Sequence, residues 1–242
     1  IILPALQILS DFAVLTGTTF GLLKRVNLKR FLSIIKNNKF IILINFIYII
    51  LMFLTIDYGI PNESHPFPYH MDEWHQLQAV RSTFAYGTPN VEGSANGTML
   101  HFLISGFYLI PFTLFGIINP FELRIDNLIN RENIFLLLRF NTFIWGILSI
   151  TLIYKITENL KISKRLTVIL FTFTPIWLML SGHFKYDISL MFFILLSILF
   201  MLRYSKKPTM ANFVTAGVSV GLALAVKISV LPLIPIYSLS FL

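Results

Sequence analysis

A chain of 242 residues is long enough for one or two soluble domains, but its composition excludes that reading. Charged residues make up 12% of it, about half the roughly 25% of an average soluble domain, while the AVILMFWYC set reaches 56%, aromatics 15% and mean hydropathy +0.77. A fold of this size has too much surface for its volume to hide so much apolar side chain from water, and the same figures exclude disorder, so the chain reads as an integral membrane protein.

The formal net charge of +8 does not point to nucleic acid. Lys and Arg stand in short clusters between apolar runs, as cytoplasmic loops do under the positive-inside rule. The absence of cysteine removes disulfides, thiolate metal sites and Cys nucleophiles together.

In chain order, residues 1–23 are apolar but interrupted by Pro4, Asp11, Gly17 and Gly21. The basic cluster follows this run instead of preceding it, unlike a signal peptide, so it reads as a weak span or the end of an upstream segment. Position 1 is Ile and the last apolar run reaches Leu242, which predicts a piece of a longer protein with a truncated end at 237–242. Residues 24–39 carry Lys24, Arg25, Lys29, Arg30, Lys36 and Lys39 and no acid, the strongest cytoplasmic signal in the chain. The domain reading is thus 1–39 as an apolar segment plus basic cytoplasmic stretch, and 40–236 as the transmembrane region.

Residues 40–56 form the first clear span. From Asp57 the chain turns polar, and Pro61, Pro66, Pro68 and Pro89 forbid one long helix through the stretch. Five of the eleven acids (Asp57, Glu63, Asp72, Glu73 and Glu92) lie between 57 and 98 with Arg81 as the one basic residue, which puts this part of the outer loop (57–133) away from the cytoplasm. Further spans are expected at 134–154, 166–182, 188–203 and 211–236, with inner loops marked by Lys155, Lys161, Lys164 and Arg165 and by Arg203, Lys206 and Lys207. Residues 99–118 contain His101, Gly106, Pro111 and Gly116. Parity of the charge-assigned loops leaves no net crossing for them, so they are expected to lie along the outer interface or re-enter, with a true span as the rival reading, followed by the mixed-charge stretch Glu122 to Glu132.

The outer loop holds Tyr69-His70-Met71-Asp72-Glu73-Trp74-His75-Gln76. From Met71 to Tyr86 the pattern is helical: Trp74, Leu77, Arg81 and Phe84 form an apolar stripe crossed by one cation, as in a helix lying in the membrane interface. Asp72, His75, Gln76 and Ala79 share another face. Adjacent residues on a helix diverge by about 100°, so Asp72 and Glu73 cannot serve one proton, and one is expected to be chemical and the other structural. His70, Asp72, Glu73 and His75 are acceptable metal-ligand types, but their spacing matches no specific metal motif, so no metal or other cofactor is assigned.

Arg139, His183, Lys185, Asp187 and Lys227 are expected at the same outer level. Snorkelling to headgroups is the plain alternative for Arg139, Lys185 and Lys227, and it suits Lys227 least. Lys227 follows Ala211 by 16 residues, about 24 Å of helix at ~1.5 Å per residue, and its Leu, Ala, Val and Ile neighbours make it an intramembrane cation of functional interest. Gly217 and Gly221 at GxxxG spacing suggest close helix packing.

An inner basic end, one span, a large outer loop with Asp-Glu near its start and an Arg opening the next long helix resemble the GT-C integral-membrane glycosyltransferases. The likeness is greatest to dolichyl-phosphate-mannose–protein mannosyltransferases and bacterial aminoarabinose transferases of lipid A. Arg139-Phe140-Asn141 resembles the family's Arg at the start of its second span. Thr174-Pro175 through Ser181 and Asp187 resembles its Pro…Ser…Asp segment, and Gly217 to Ala223 with Lys227 its G-x-x-x-G-L-A…K helix. The likeness covers about residues 40–236. One departure is visible: the family often has His-Pro-Asp-Glu, whereas Met71 precedes Asp72 here, with His70 before it. Members typically have eight or more spans.

The resemblance implies an all-α polytopic bundle with a large extracytoplasmic first loop carrying interfacial helices. It implies inverting transfer of a sugar from a polyprenyl-phosphate donor to a protein, lipid or glycan acceptor on the outer face of the plasma membrane. In that scheme Asp72 is the general base, Glu73 orients the loop, Arg139 and Lys227 neutralise the donor phosphate, Asp187 positions a cation or acceptor group, and His70 and His75 help to position acceptor or loop. The competing class is a transporter or flippase for a lipid-linked or anionic substrate. Transporters place such charges near the midplane on broken helices, whereas these fall at the outer level beside a carboxylate-bearing loop.

Overall fold

The computed structural model describes residues 37–62, 64–86, 99–119 and 131–235. The expectations on 1–36, Glu63, 87–98 with Glu92, 120–130 and the end at 237–242 fall outside the described residues.

Among the described residues the regular structure is helical, without a strand. In chain order the helices are α1 (Lys39–Phe53), α2 (Met71–Tyr86), α3 (Met99–Leu114), α4 (Arg131–Leu160), α5 (Lys164–Thr172), α6 (Pro175–Ser181), α7 (Tyr186–Lys206) and α8 (Met210–Val226), followed by a 3₁₀ turn at Ile228–Val230. Two stretches, Glu132–Leu160 and Tyr186–Lys206, are long and apolar enough to cross a membrane. They contain the expected spans 134–154 and 188–203. The apolar helices α1, α3 and α8 have 15, 16 and 17 residues. Phe46, Phe53, Leu170, Met179 and Val218 are more than half exposed, and such bare apolar faces suit a lipid surround.

Two expected spans are interrupted. Residues 166–182 form α5 and α6, bent by 56°. The break is at Thr174, which is extended (φ −63°, ψ 126°) before Pro175. Proline lacks the amide proton that would continue the ladder and disfavours helical backbone in the residue before it. The span expected at 211–236 stops at Val226, because Lys227 is extended (φ −156°, ψ 128°). A continuous helix would also drive Pro232 against the carbonyl four residues before it. The start of α8 is capped by Thr209, whose hydroxyl accepts from the Asn212 amide at 3.3 Å, satisfying one of the first-turn donors.

The GxxxG expectation is also corrected. Among the described residues, nothing lies within 4 Å of where a Cβ at Gly217 or Gly221 would stand. The face of α8 that is buried is Ala216, Ser219, Ala223 and Val226, one helical stripe away from the glycines. It meets α7, where Leu190 and Phe193 join Ala223, Val226 and Val230 in one apolar cluster. On its other side α7 packs on α4 through Ile156, Leu195 and Leu199.

The cluster that carries α2 is built from Leu77 and Val80 of α2, Phe102 and Leu109 of α3, Ile134, Phe135 and Leu138 of α4, and Phe184. All are at most 1% exposed. This cluster fixes α2 over the N-terminal part of α4.

Candidate active site

The first turn of α2 carries Asp72 and Glu73, where negative side chains meet the positive end of the helix dipole. Their ~100° divergence becomes a difference in environment: the Glu73 side chain is 0% exposed and that of Asp72 is 58% exposed.

Glu73 turns inward to Arg139, which lies eight residues after Arg131, the first residue of α4. Arg139 Nε donates to Glu73 Oε1 at 2.8 Å and Nη2 to Oε2 at 2.6 Å, a bidentate geometry that the planar guanidinium favours. Nη1 donates to the carbonyls of Ile56 and Tyr58 at 2.8 and 2.7 Å, in the turns that follow α1. The guanidinium is 1% exposed and each of its nitrogens serves a protein acceptor. The side chain that the resemblance directs to a donor phosphate therefore acts here as an anchor for the loop between α1 and α2.

The turn between α6 and α7 docks on α2 and α4. Glu73 Oε1 also accepts from the Phe184 amide at 2.6 Å, Thr142 Oγ1 from the Lys185 amide at 3.4 Å, and Gln76 Oε1 from the Tyr186 amide at 3.1 Å. Phe184 is fully buried and stacks on His101 with ring centroids 5.1 Å apart. His101 Nδ1 is 2.9 Å from Ser189 Oγ, and Asn141 Nδ2 donates to Ser105 Oγ at 3.0 Å, so polar side chains link α3 to both α7 and α4.

This docking corrects the reading of Lys185 as a snorkelling residue on an outer turn. It is 5% exposed, and its Nζ donates to Asp72 Oδ2. No local signal shows this, because the burial depends on three backbone amides bonding to side chains 43 or more residues away. The hydrogen bond and charge of Lys185 hold the Asp72 carboxyl below the usual carboxylate range, with burial opposing them.

His70 is placed beside this pair, its ring 5.1 Å from that of His183. Burial and the charges of Lys185 and His183 push the His70 imidazole below its ordinary value. His75 is exposed on α2. Among the described residues no three His, Asp or Glu side chains group as metal ligands, so His70, Asp72, Glu73 and His75 do not converge on an ion.

Asp187 opens α7 and accepts from Lys227 Nζ at 3.1 Å. The two side chains are 29% and 25% exposed. Lys227 caps α8, where its charge suits the negative end of the dipole, and its Nζ lies 4.6 Å above the Tyr186 ring. Asp187 also borders a cavity of ≈ 310 Å³ between α5–α6 and α7, lined by Phe171, Thr174, Trp177, Met191 and Ile194.

The site thus holds three ion pairs. Glu73–Arg139 is buried, Asp72–Lys185 has an open carboxylate and a buried cation, and Asp187–Lys227 is part-open above an apolar cavity. A family model described as dolichyl-phosphate-mannose-protein mannosyltransferase matches residues 123–242. Arg139, Lys185, Asp187 and Lys227 lie within the match, and Asp72 and Glu73 precede it. No curated protein and no solved structure matches the chain. Residues 123–242 are thus similar to the dolichyl-phosphate-mannose-protein mannosyltransferase family, and together with the apolar helices this likeness indicates a membrane glycosyltransferase of the mannosyltransferase-like, GT-C type.

Proposed function

We propose that the protein transfers a sugar from a polyprenyl-phosphate donor to a protein, lipid or glycan hydroxyl on the extracytoplasmic face of the plasma membrane, with inversion at the anomeric carbon. Asp72 is the general base. It accepts the proton of the acceptor hydroxyl as that oxygen attacks the sugar, and the polyprenyl phosphate leaves with the bonding electrons. The observation that carries this reading is the split of the Asp-Glu pair: Glu73 is sealed against Arg139 while Asp72, one residue away, keeps an open carboxylate.

Lys227 is the proposed contact for the donor phosphate, with Asp187 orienting it. The ≈ 310 Å³ apolar cavity beside Asp187 supports a lipid-linked donor, because it offers the first isoprene units a place to leave water next to a cation. His70 and His75 lie near Asp72, and in this reading they help to position the acceptor or the loop. Arg139 contributes by fixing Glu73 and the loop, not by meeting the phosphate.

The test uses the protein in its own membranes with radiolabelled polyprenyl-phosphate sugar. Label should pass to acceptor, and Lys227→Ala should lower turnover by about 10²–10³-fold, the usual worth of one charge-stabilising donor in a water-poor site. Movement of intact labelled donor across the membrane, with no transfer to acceptor, would overturn the enzyme reading in favour of transport.

A further inference from the structure

The three cations of the site differ in what happens to their partners during the proposed reaction. Glu73 and Asp187 do not take up the acceptor's proton in the proposed step, so Arg139 and Lys227 keep their partners. Asp72, the partner of Lys185, is the carboxylate that accepts the proton and loses its charge. Lys185 has nowhere else to go: its side chain is 6% exposed, and the turn that carries it is bonded through the amides of residues 184, 185 and 186 to Glu73, Thr142 and Gln76. A buried ammonium whose counter-ion disappears is strongly disfavoured unless another anion replaces it.

The same step creates such an anion. The acceptor O–H bond breaks and its proton moves to Asp72, the oxygen–carbon bond to the sugar forms, and the carbon–oxygen bond to the phosphate breaks. The leaving phosphate departs with the electron pair and one more negative charge than the phosphodiester carried. We infer that Lys185 is a relay cation. In the resting site it pairs with Asp72, and as Asp72 takes the proton its pairing passes to the departing polyprenyl phosphate. This rests on Asp72 being the base. Charge is conserved across the step, and the buried cation is never left alone. In the resting site Lys185 also favours the charged form of Asp72, with smaller help from His70 on the loop and His75 on α2 and with burial opposing; Glu73 on α2 and His183 on the turn complete the surrounding titratable groups.

The relay makes a prediction that does not depend on turnover. In Asp72→Asn, Lys185 has lost its carboxylate before any phosphate arrives, so polyprenyl monophosphate should bind about 10-fold or more tightly than to the wild type. In Asp72→Asn/Lys185→Gln that gain should vanish. For catalysis, Lys185→Gln should lower kcat by about 10²–10³-fold and move the acid limb of the kcat/KM profile upward, because Asp72 loses the group that favours its charged form. Lys185→Arg should restore much of both. A His70→Gln control separates His70 from Asp72 as the titrating group. Equal affinity of wild type and Asp72→Asn for polyprenyl monophosphate would overturn the relay, even if Lys185→Gln fails to fold. Wild-type turnover by Asp72→Asn would instead remove the base assignment on which it rests.

Discussion

The Arg139 guanidinium and the Glu73 carboxylate meet side by side, at 2.8 and 2.6 Å, although 66 residues separate them in the chain. Glu73 also receives the Phe184 amide, and Arg139 the carbonyls of Ile56 and Tyr58. One buried pair therefore ties the loop after α1, the start of α2, the third turn of α4 and the turn before α7. Its consequence is positional: with Glu73 fixed inward, Asp72 must face outward.

Removing either partner leaves an uncompensated buried charge. Glu73→Ala or Arg139→Ala should destabilise the protein by about 3–5 kcal/mol, whereas replacing both by apolar residues of similar volume should cost much less. Thermal unfolding in detergent of the two single variants and of Glu73→Leu/Arg139→Met measures the coupling. Strict additivity of the single losses would contradict the anchor role.

Asp72 and Glu73 should separate by the kind of defect they produce. Asp72→Asn keeps the shape and removes proton acceptance, so folded protein should lose about 10²–10⁴-fold in turnover. Glu73→Gln should instead lower the yield of folded protein, with activity per folded molecule falling less. Near-normal transfer by folded Asp72→Asn would refute the assignment.

Acid should act on stability in two separate windows. The His70 imidazole is held below its ordinary value of about 6.5, so the folded state favours its neutral form. Its contribution is complete above about pH 6.5 and is lost as pH falls through the depressed folded value. Asp72 is also held low, so its contribution is complete above about pH 4 and is lost as pH falls through its own depressed value. Melting curves should therefore show His70→Gln flattening the slope just below pH 6.5, and Asp72→Asn changing it only below about pH 4. An unchanged slope in His70→Gln would show that the His70 setting contributes nothing.

Gly146 on α4 faces the hydroxyl of Tyr48, a fully buried side chain of α1 stacked on Phe143 at 5.6 Å. A Cβ at Gly146 would run into that hydroxyl. Gly146→Ala should cost about 1–3 kcal/mol from overpacking, and Tyr48→Phe should relieve part of the loss, a non-additivity expected of residues in contact. Unfolding midpoints of the two singles and the double decide it, and additive losses would rule the contact out.

What the sequence determined by itself was solvent and class. An apolar fraction of 56% with 12% charge requires lipid whatever the tertiary arrangement, and the helical spacing of Trp74, Leu77 and Arg81 placed α2 as described. The ~100° rule for neighbouring helical residues already implied that Asp72 and Glu73 face different surroundings. The break at Thr174 was written in Pro175, and Pro232 already forbade a regular helix running on to 236, but a hydropathy run passes over a single proline without showing a bend. The setting of Lys185 was beyond any local reading, and so was the use of Arg139 as an anchor. Both depend on partners 66 or more residues away, because a charged side chain has no periodicity and its burial is decided by which counter-charge the packed helices bring to it. Only the docking of the 183–186 turn on α2 could decide which cation meets Asp72.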